Sequence, residues 1–335
     1  MADIGIVGAG SWGTALALVL NDNKHKVVVW SALEDEIQML NKEREHKDKL
    51  PGVKLPEEIV FTTDLKLTCQ DKDILVLAVP SPFTRSTAHL MADVVKKDQL
   101  IVSVAKGIEE ETLNTLSMII KEEIPCSRVA VLSGPSHAEE VSRRIPTTCV
   151  VGAKEKEIAK YIQDIFMNEN FRIYTSPDIL GIELGGSLKN VVALAAGVAD
   201  GLGYGDNTKA ALITRGITEI TRLGTKMGGN IKTFSGLTGI GDLIVTCASM
   251  HSRNRRAGIL IGQGKTMQEA MDEVKMVVEG VYSAKAALAL SKKYDVPMPI
   301  IEQINLILFG GKSAKDAVKD LMKRDKTDEL SWEEY

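Results

Sequence analysis

The segment Gly8-Ala9-Gly10-Ser11-Trp12-Gly13 limits what this chain can become more than any other. An apolar run at 4–7 precedes it, and a helix-like pattern at 14–20 follows. In a strand–turn–helix register Gly8 permits the tight turn, Gly10 lets the backbone approach a pyrophosphate, and Gly13 lets helix and strand pack closely. Free N–H groups at the helix start then meet the anion. A glycine turn of this kind can be purely structural, but at the head of a β-α-β unit it reads as a dinucleotide site for NAD or NADP.

Short, nearly all-apolar runs recur at 27–30, 74–79, 100–104 and 129–132. Strands buried on both faces have this composition. Helix-length segments at 34–41, 84–95 and 111–122 separate them, so the first half is expected to be α/β, a doubly wound Rossmann-type parallel sheet. Runs at 149–151 and 171–174, around a helix-like 157–167, are expected to extend it. After Ser176-Pro177 the strand signals stop, and alanine-rich helical patterns follow at 182–199, 210–227, 267–274, 283–293, 300–309 and 314–322. The expectation is a dinucleotide-binding domain over 1–178 and an all-helical, substrate-binding and catalytic domain over 179–335, with 323–335 a frayed, charged end. Two domains also suit a length of 335 residues.

Composition removes several function classes. The formal charge of -4 provides no global field for nucleic acid or an anionic membrane, so an anionic substrate needs a local pocket. Cys69, Cys126, Cys149 and Cys247 are far apart with no CxxC pair, which disfavours zinc or a disulfide framework and fits a reducing cytoplasm. No metal site is expected. No apolar run approaches the ~20 residues of a membrane span, so no membrane insertion is expected either.

In an open parallel sheet, ligands lie beyond the carboxyl ends of the strands. Segments there are Pro80-Ser81-Pro82-Phe83, Ala105-Lys106-Gly107 and Ser133-Gly134-Pro135-Ser136-His137-Ala138. Lys106 is a candidate ligand group, with a solvated strand-end lysine as the alternative. His137 is more readily a packed or solvated loop residue than an acid–base group. At the end of the second strand the usual ribose-binding acid is missing: Trp30 is followed by Ser31, Ala32 and Leu33, and Glu34 and Asp35 come only afterwards. No Arg stands there for a 2′-phosphate, although Ser31 can donate a hydrogen bond to one. Coenzyme choice stays open.

In the second half, Lys189 and Asn190 are the only polar side chains between Ser187 and Asp200. On a helix Lys189 has Gly185 and Ala193 one turn away on either side, which leaves room for a small ligand. Apolar burial lowers a lysine pKa toward neutral proton transfer, whereas a snorkelling lysine would reach water instead. A third cluster runs Ser235-Gly236-Leu237-Thr238-Gly239-Ile240-Gly241-Asp242, then Ser252-Arg253-Asn254 before a helix-like 255–261. Its three glycines suit a backbone bent close to a ligand, with Asp242 positioned to hold a substrate hydroxyl or orient Lys189. Arg253 can fork two phosphate oxygens, and Ser252 or Asn254 can cap the helix beside them. A basic capped helix facing solvent is the alternative.

These segments together resemble the bacterial NAD(P)-dependent sn-glycerol-3-phosphate dehydrogenases, over almost the whole chain. The resemblance implies that Ser11, Trp12, Lys106, Ala138, Arg253, Val277 and Glu279 face the cofactor, beside the glycines Gly8, Gly10 and Gly13. It implies a small phosphate substrate surrounded by Lys106, Gly134, Ser136, Lys189, Asp242, Ser252, Arg253 and Asn254, with Lys189 the proton acceptor. It further implies a cytoplasmic homodimer that reduces dihydroxyacetone phosphate for glycerophospholipid synthesis. The departure is at residues 31–33, where many members carry a basic residue that helps bind NADPH. A related reductase of a keto or hydroxy acid would share the first domain but not need Ser252-Arg253-Asn254. A non-catalytic dinucleotide sensor would have no use for a buried Lys189.

Overall fold

The computed structural model describes residues 1–326, 328 and 329. Of the end expected to fray, residues 327 and 330–335 lie outside the described ones. Eight strands form one sheet: β1 (Asp3–Val7), β2 (Lys26–Trp30), β3 (Val60–Thr62), β4 (Ile74–Leu77), β5 (Leu100–Ser103), β6 (Arg128–Ser133), β7 (Thr147–Gly152) and β8 (Phe171–Ser176). Their order is β3-β2-β1-β4-β5-β6-β7-β8. Helices cover the sheet: α1 (Ser11–Asp22), α2 (Glu34–Glu43), α3 (Leu65–Cys69), α4 (Thr84–Ala92), α5 (Leu116–Glu123), α6 (Ala138–Val141) and α7 (Lys156–Phe166).

The β1, β4, β5 and β6 strands are parallel, so Gly8, the Ala78–Pro80 region, Lys106 and Gly134 emerge along one edge. Strand order reverses between β1 and β4, which opens a crevice there. Two features depart from the sequence expectation. The sheet is not wholly parallel, because β7 runs antiparallel to β6. Between them 134–146 holds only the single-turn α6, which packs on α1 and provides no crossover helix. The three-residue edge strand β3 had no run long enough to be read.

Beyond β8 the chain is helical: α8 (Ile179–Gly201), α9 (Asp206–Lys226), α10 (Ile231–Phe234), α11 (Asp242–Ala248), α12 (Arg253–Gly262), α13 (Met267–Val274), α14 (Glu279–Tyr294), α15 (Pro299–Phe309) and α16 (Ala314–Met322). Every residue over 181–199 of α8 is buried, and α9, α11, α12, α14 and α15 pack around it. Contrary to the sequence expectation, α8 is long and apolar enough to cross a membrane; 83% of its apolar window is enclosed by protein, so it serves as the core helix. The α12 helix lies unusually close: a Cβ on Gly258 would fall 2.2 Å from the Leu194 carbonyl oxygen. That approach draws the start of α12, with Arg253, toward the middle of α8, with Lys189.

Candidate active site

The first glycine turn folds as its spacing requires. Gly8 has φ +122°, and a Cβ there would strike the Ala78–Val79 backbone at 2.8 Å. At Gly13 a Cβ would lie 2.0 Å from the Gly8 carbonyl, so this residue serves close packing of helix and strand. Gly10 differs, because nothing lies within 4 Å of its Cβ position. That open space belongs to a cavity of about 990 Å³ which runs along the crevice between sheet and helical half. Its size, the bare Gly10 backbone and the N-terminus of α1 fit a dinucleotide. Gly8, Gly10, Ser11, Trp12, Lys106, Ala138, Arg253, Val277 and Glu279 all line this cavity.

On the same wall lie Ser136, Lys189, Asp242, Ser252 and Asn254, whereas Gly13 and Gly134 are not on it. Gly134 contributes through its backbone. With φ +147° it turns the chain after β6, and its carbonyl accepts from Lys106 Nζ at 2.9 Å and from Ser136 Oγ at 3.0 Å.

At the centre, Asp242 stands between two lysines. Its Oδ1 accepts from Lys189 Nζ at 2.8 Å, and its Oδ2 from Lys106 Nζ at 2.6 Å. Thr246, one turn along α11, accepts from Lys189 Nζ at 2.6 Å and donates to the Asp242 carbonyl at 2.6 Å. Lys189 is 5% exposed with its ammonium held inside, so it does not snorkel, and Lys106 is an ion-paired group instead of a solvated strand end. Burial lowers the Lys189 pKa to about 8, and neighbouring Lys106 pushes the same way while Asp242 opposes. Burial alone would raise the Asp242 pKa; Lys106 and Lys189 overcome it and hold the carboxyl below its ordinary value.

Two local expectations are corrected. The space beside Lys189 at Gly185 is filled by protein, because a Cβ there would meet the Thr238 carbonyl at 2.6 Å. The glycine-rich run before Asp242 forms a single π-helical turn, Leu237–Gly241, whose Gly239 packs on the Phe234 backbone and approaches no ligand space. Both Asp242 oxygens accept from lysines, a geometry that suits the expected role of orienting Lys189.

At the start of α12, Ser252 is the cap, its Oγ accepting from Arg255 N at 3.2 Å. Asn254 is not a cap: Nδ2 donates to Asn190 Oδ1 at 2.9 Å, and Oδ1 accepts from Gly280 N at 2.8 Å, joining α12 to α8 and α14. Arg253 faces the cavity; burial lowers its pKa, and Glu279 and Glu139 act on it through space. Arg255 points away, donating from Nε to Asp200 at 2.7 Å.

Glu279 spans the two halves, accepting from Ser81 N at 3.0 Å and from Ser81 Oγ. His137 is packed: burial, then Lys189 and Lys106, depress its pKa to about 4, so it is neutral. Ser31 does not offer its proton to a ligand, because Oγ donates to Glu36 Oε2 at 2.5 Å. Ser81, in a segment the sequence placed beyond the strand ends, completes the site through Glu279, and Thr246, Glu36 and Lys49 also line it, three residues that sequence reading passed over. Thr246 alone had a signal, its i+4 spacing from Asp242.

Comparison with known proteins identifies the family and the fold. The family model described as "NAD-dependent glycerol-3-phosphate dehydrogenase N-terminus" matches residues 3–159, and the corresponding C-terminus model matches 178–319. A relative from Agathobacter rectalis, named glycerol-3-phosphate dehydrogenase [NAD(P)+], is 67% identical over 331 residues, covering 99% of this chain and 98% of that protein. A relative of the same name from Bacillus subtilis is 54% identical, covering 98% and 96%. The solved glycerol-3-phosphate dehydrogenase of Coxiella burnetii superposes with a TM-score of 0.93 at 36% identity, covering 96% of this chain and 99% of that one. A ketopantoate reductase structure from Ralstonia eutropha, at TM-score 0.62 and 14% identity over 96% and 99% of the chains, shares the fold alone. The chain therefore belongs to the NAD-dependent glycerol-3-phosphate dehydrogenase family.

Proposed function

We propose that this chain reversibly reduces dihydroxyacetone phosphate to sn-glycerol 3-phosphate with NADH or NADPH, using Lys189 as the proton donor. The observation that carries this reading is a buried ammonium on the cavity wall, fixed by Asp242 and Thr246, in the same crevice as the Gly8–Gly10 cradle. Residues 1–178 then hold the dinucleotide, and 179–335 supply most of the substrate and proton-transfer groups.

A reduced nicotinamide bound in the crevice supplies the hydride. Lys189 gives a proton to the ketone oxygen as that oxygen gains charge, leaves as a neutral amine, and regains its proton from water. In the oxidative direction it is the base. Asp242 keeps the Lys189 nitrogen at one place, and Lys106 fixes the other carboxylate oxygen, so little reorganisation accompanies the transfer. Arg253 and the N-terminus of α12 receive the phosphate. The product serves glycerophospholipid synthesis, and the enzyme works as a cytoplasmic homodimer.

Coenzyme oxidation followed with dihydroxyacetone phosphate, with ketopantoate and with no ketone tests the reading. Only dihydroxyacetone phosphate should support turnover. Turnover of ketopantoate with dihydroxyacetone phosphate inert would overturn it.

A further inference from the structure

We propose that Lys49, presented by Glu36, recognises the 2′-phosphate of the coenzyme and makes NADPH the preferred reductant of this chain. The inference rests on the reading that the crevice holds a dinucleotide, and it deepens that reading at the adenosine end.

With strand order β3-β2-β1-β4, the adenosine ribose meets the carboxyl end of β2. An acid there accepts from the ribose hydroxyls and selects NAD, whereas a nearby cation accommodates the 2′-phosphate of NADP. No acid follows Trp30 directly, and the first carboxylate that reaches the cavity wall is Glu36, in the first turn of α2. Its oxygens are already committed. Oε2 accepts from Ser31 Oγ at 2.5 Å, and Oε1 meets His46 Nε2 at 3.0 Å and the Lys49 ammonium. Burial alone would raise the Glu36 pKa, but hydrogen bonds from His46, Lys49 and Ser31 hold it down to about 2. The carboxylate is ionised, enclosed and spent on protein donors, so it is poorly suited to accept from a ribose diol.

Lys49 has the opposite placement. Both residues line the cavity, and the Lys49 side chain is 30% exposed against 8% for Glu36, so the cation is the more accessible end of the pair. An ammonium carries three N–H donors. Glu36 takes one, and the other two have no protein partner among the described residues. Glu36 also anchors the long side chain in advance, which lowers the entropic cost of gripping a ligand. Neither Glu34 nor Asp35 is on the cavity wall; Glu34 accepts from Gln38 instead. The loop between α2 and β3 thus brings a cation to a place where the residues directly after β2 offer none.

Adenosine fragments and the two coenzymes test this on the full-length protein. The unmodified protein should reduce dihydroxyacetone phosphate with a higher kcat/KM for NADPH than for NADH. Adenosine 2′,5′-bisphosphate should compete with coenzyme at least about tenfold more tightly than 5′-AMP, a difference expected of one charge-assisted contact. In Lys49→Met the NADPH-to-NADH ratio of kcat/KM should fall by about tenfold or more, and the advantage of the bisphosphate should fall with it. Lys49→Arg, which keeps the charge, should retain most of both, so loss of fold in the first variant does not hide the answer. Equal competition by the two fragments, or a Lys49→Met ratio equal to the parent's, would overturn the role of Lys49 while leaving the dinucleotide site standing. Failure of both fragments to compete would instead remove the adenosine site on which the inference rests.

Discussion

Asp242 and Glu219 are both almost fully buried in the helical half, at 1% and 3% exposure, yet their acidities move in opposite directions. Burial raises the Glu219 pKa to about 7, opposed by the N–H groups of Ile300 and Ile301 at the start of α15 and, more weakly, by Arg324 and Arg222 acting through space. For Asp242 burial acts in the same sense, but Lys106 and Lys189 more than compensate and the pKa falls. Backbone dipoles and cations outside ion-pair contact leave a buried carboxylate short of compensation, while two cations in direct contact lock it in the charged state. Glu219 caps a helix. Asp242 stays ionised throughout the neutral range and can therefore hold two lysines where the cavity needs them.

The sharpest way to break this contrast is Asp242→Asn, which strands two cations in the interior. Loss of one partner of a buried pair costs about 3–5 kcal/mol, so urea unfolding at pH 7 should show a deficit of that order. Because the folded pKa of Asp242 is depressed, its contribution is present above the ordinary aspartate pKa and is lost as pH falls through the folded value. The deficit should shrink in acid; a variant as stable as the parent at pH 7 would refute the pairing argument.

Glu219→Gln should show the opposite pH trend. Its folded pKa lies above the ordinary 4.5, so the favourable contribution is present below about 4.5 and is lost as pH rises through about 7. Glutamine mimics the protonated form. The stability of the variant relative to the parent should thus rise by roughly 3 kcal/mol between pH 4.5 and pH 8. A flat difference would mean that the N–H groups of Ile300 and Ile301 compensate the charge after all.

Arg253 sharpens the comparison from the other side, since it is a buried cation that faces the cavity with no carboxylate in ion-pair contact among the described residues. Arg253→Ala should raise KM for dihydroxyacetone phosphate by the equivalent of about 1.5–3 kcal/mol, with a smaller change in kcat. An unchanged KM would assign that arginine elsewhere. The smallest effect is expected in the pH profile of the parent. With Lys189 lowered to about 8, kcat for ketone reduction should decline as pH rises through that region, while kcat for alcohol oxidation rises. Profiles that move together would detach the proton step from Lys189.

What could be read beforehand followed local chemistry. The Gly8 turn was legible because its neighbours already spelled strand and helix, and Lys189 because it interrupts an otherwise apolar helix. Asn254 looked like a cap by residue type, but the closeness of α12 to α8 and α14 gives its side chain inter-helix partners instead. The glycines before Asp242 suggested ligand space, and the tertiary fold filled it with Phe234 and α8. The antiparallel β7 and the three-residue β3 depend on pairings that no local pattern encodes. Lys49 meets Glu36 from 13 residues away, across a loop without periodicity, so only coordinates reveal the contact.

The central claim, that the buried amine of Lys189 is the proton donor, is tested most directly by Lys189→Met, with turnover and reduced-coenzyme affinity measured on one preparation. Ketone reduction should lose roughly 10²–10⁴-fold in kcat, the contribution of a general acid. The Kd for reduced coenzyme should stay within about threefold, since the interaction removed acts at the reacting ketone. A methionine variant that turns over within about threefold of the parent would contradict the account.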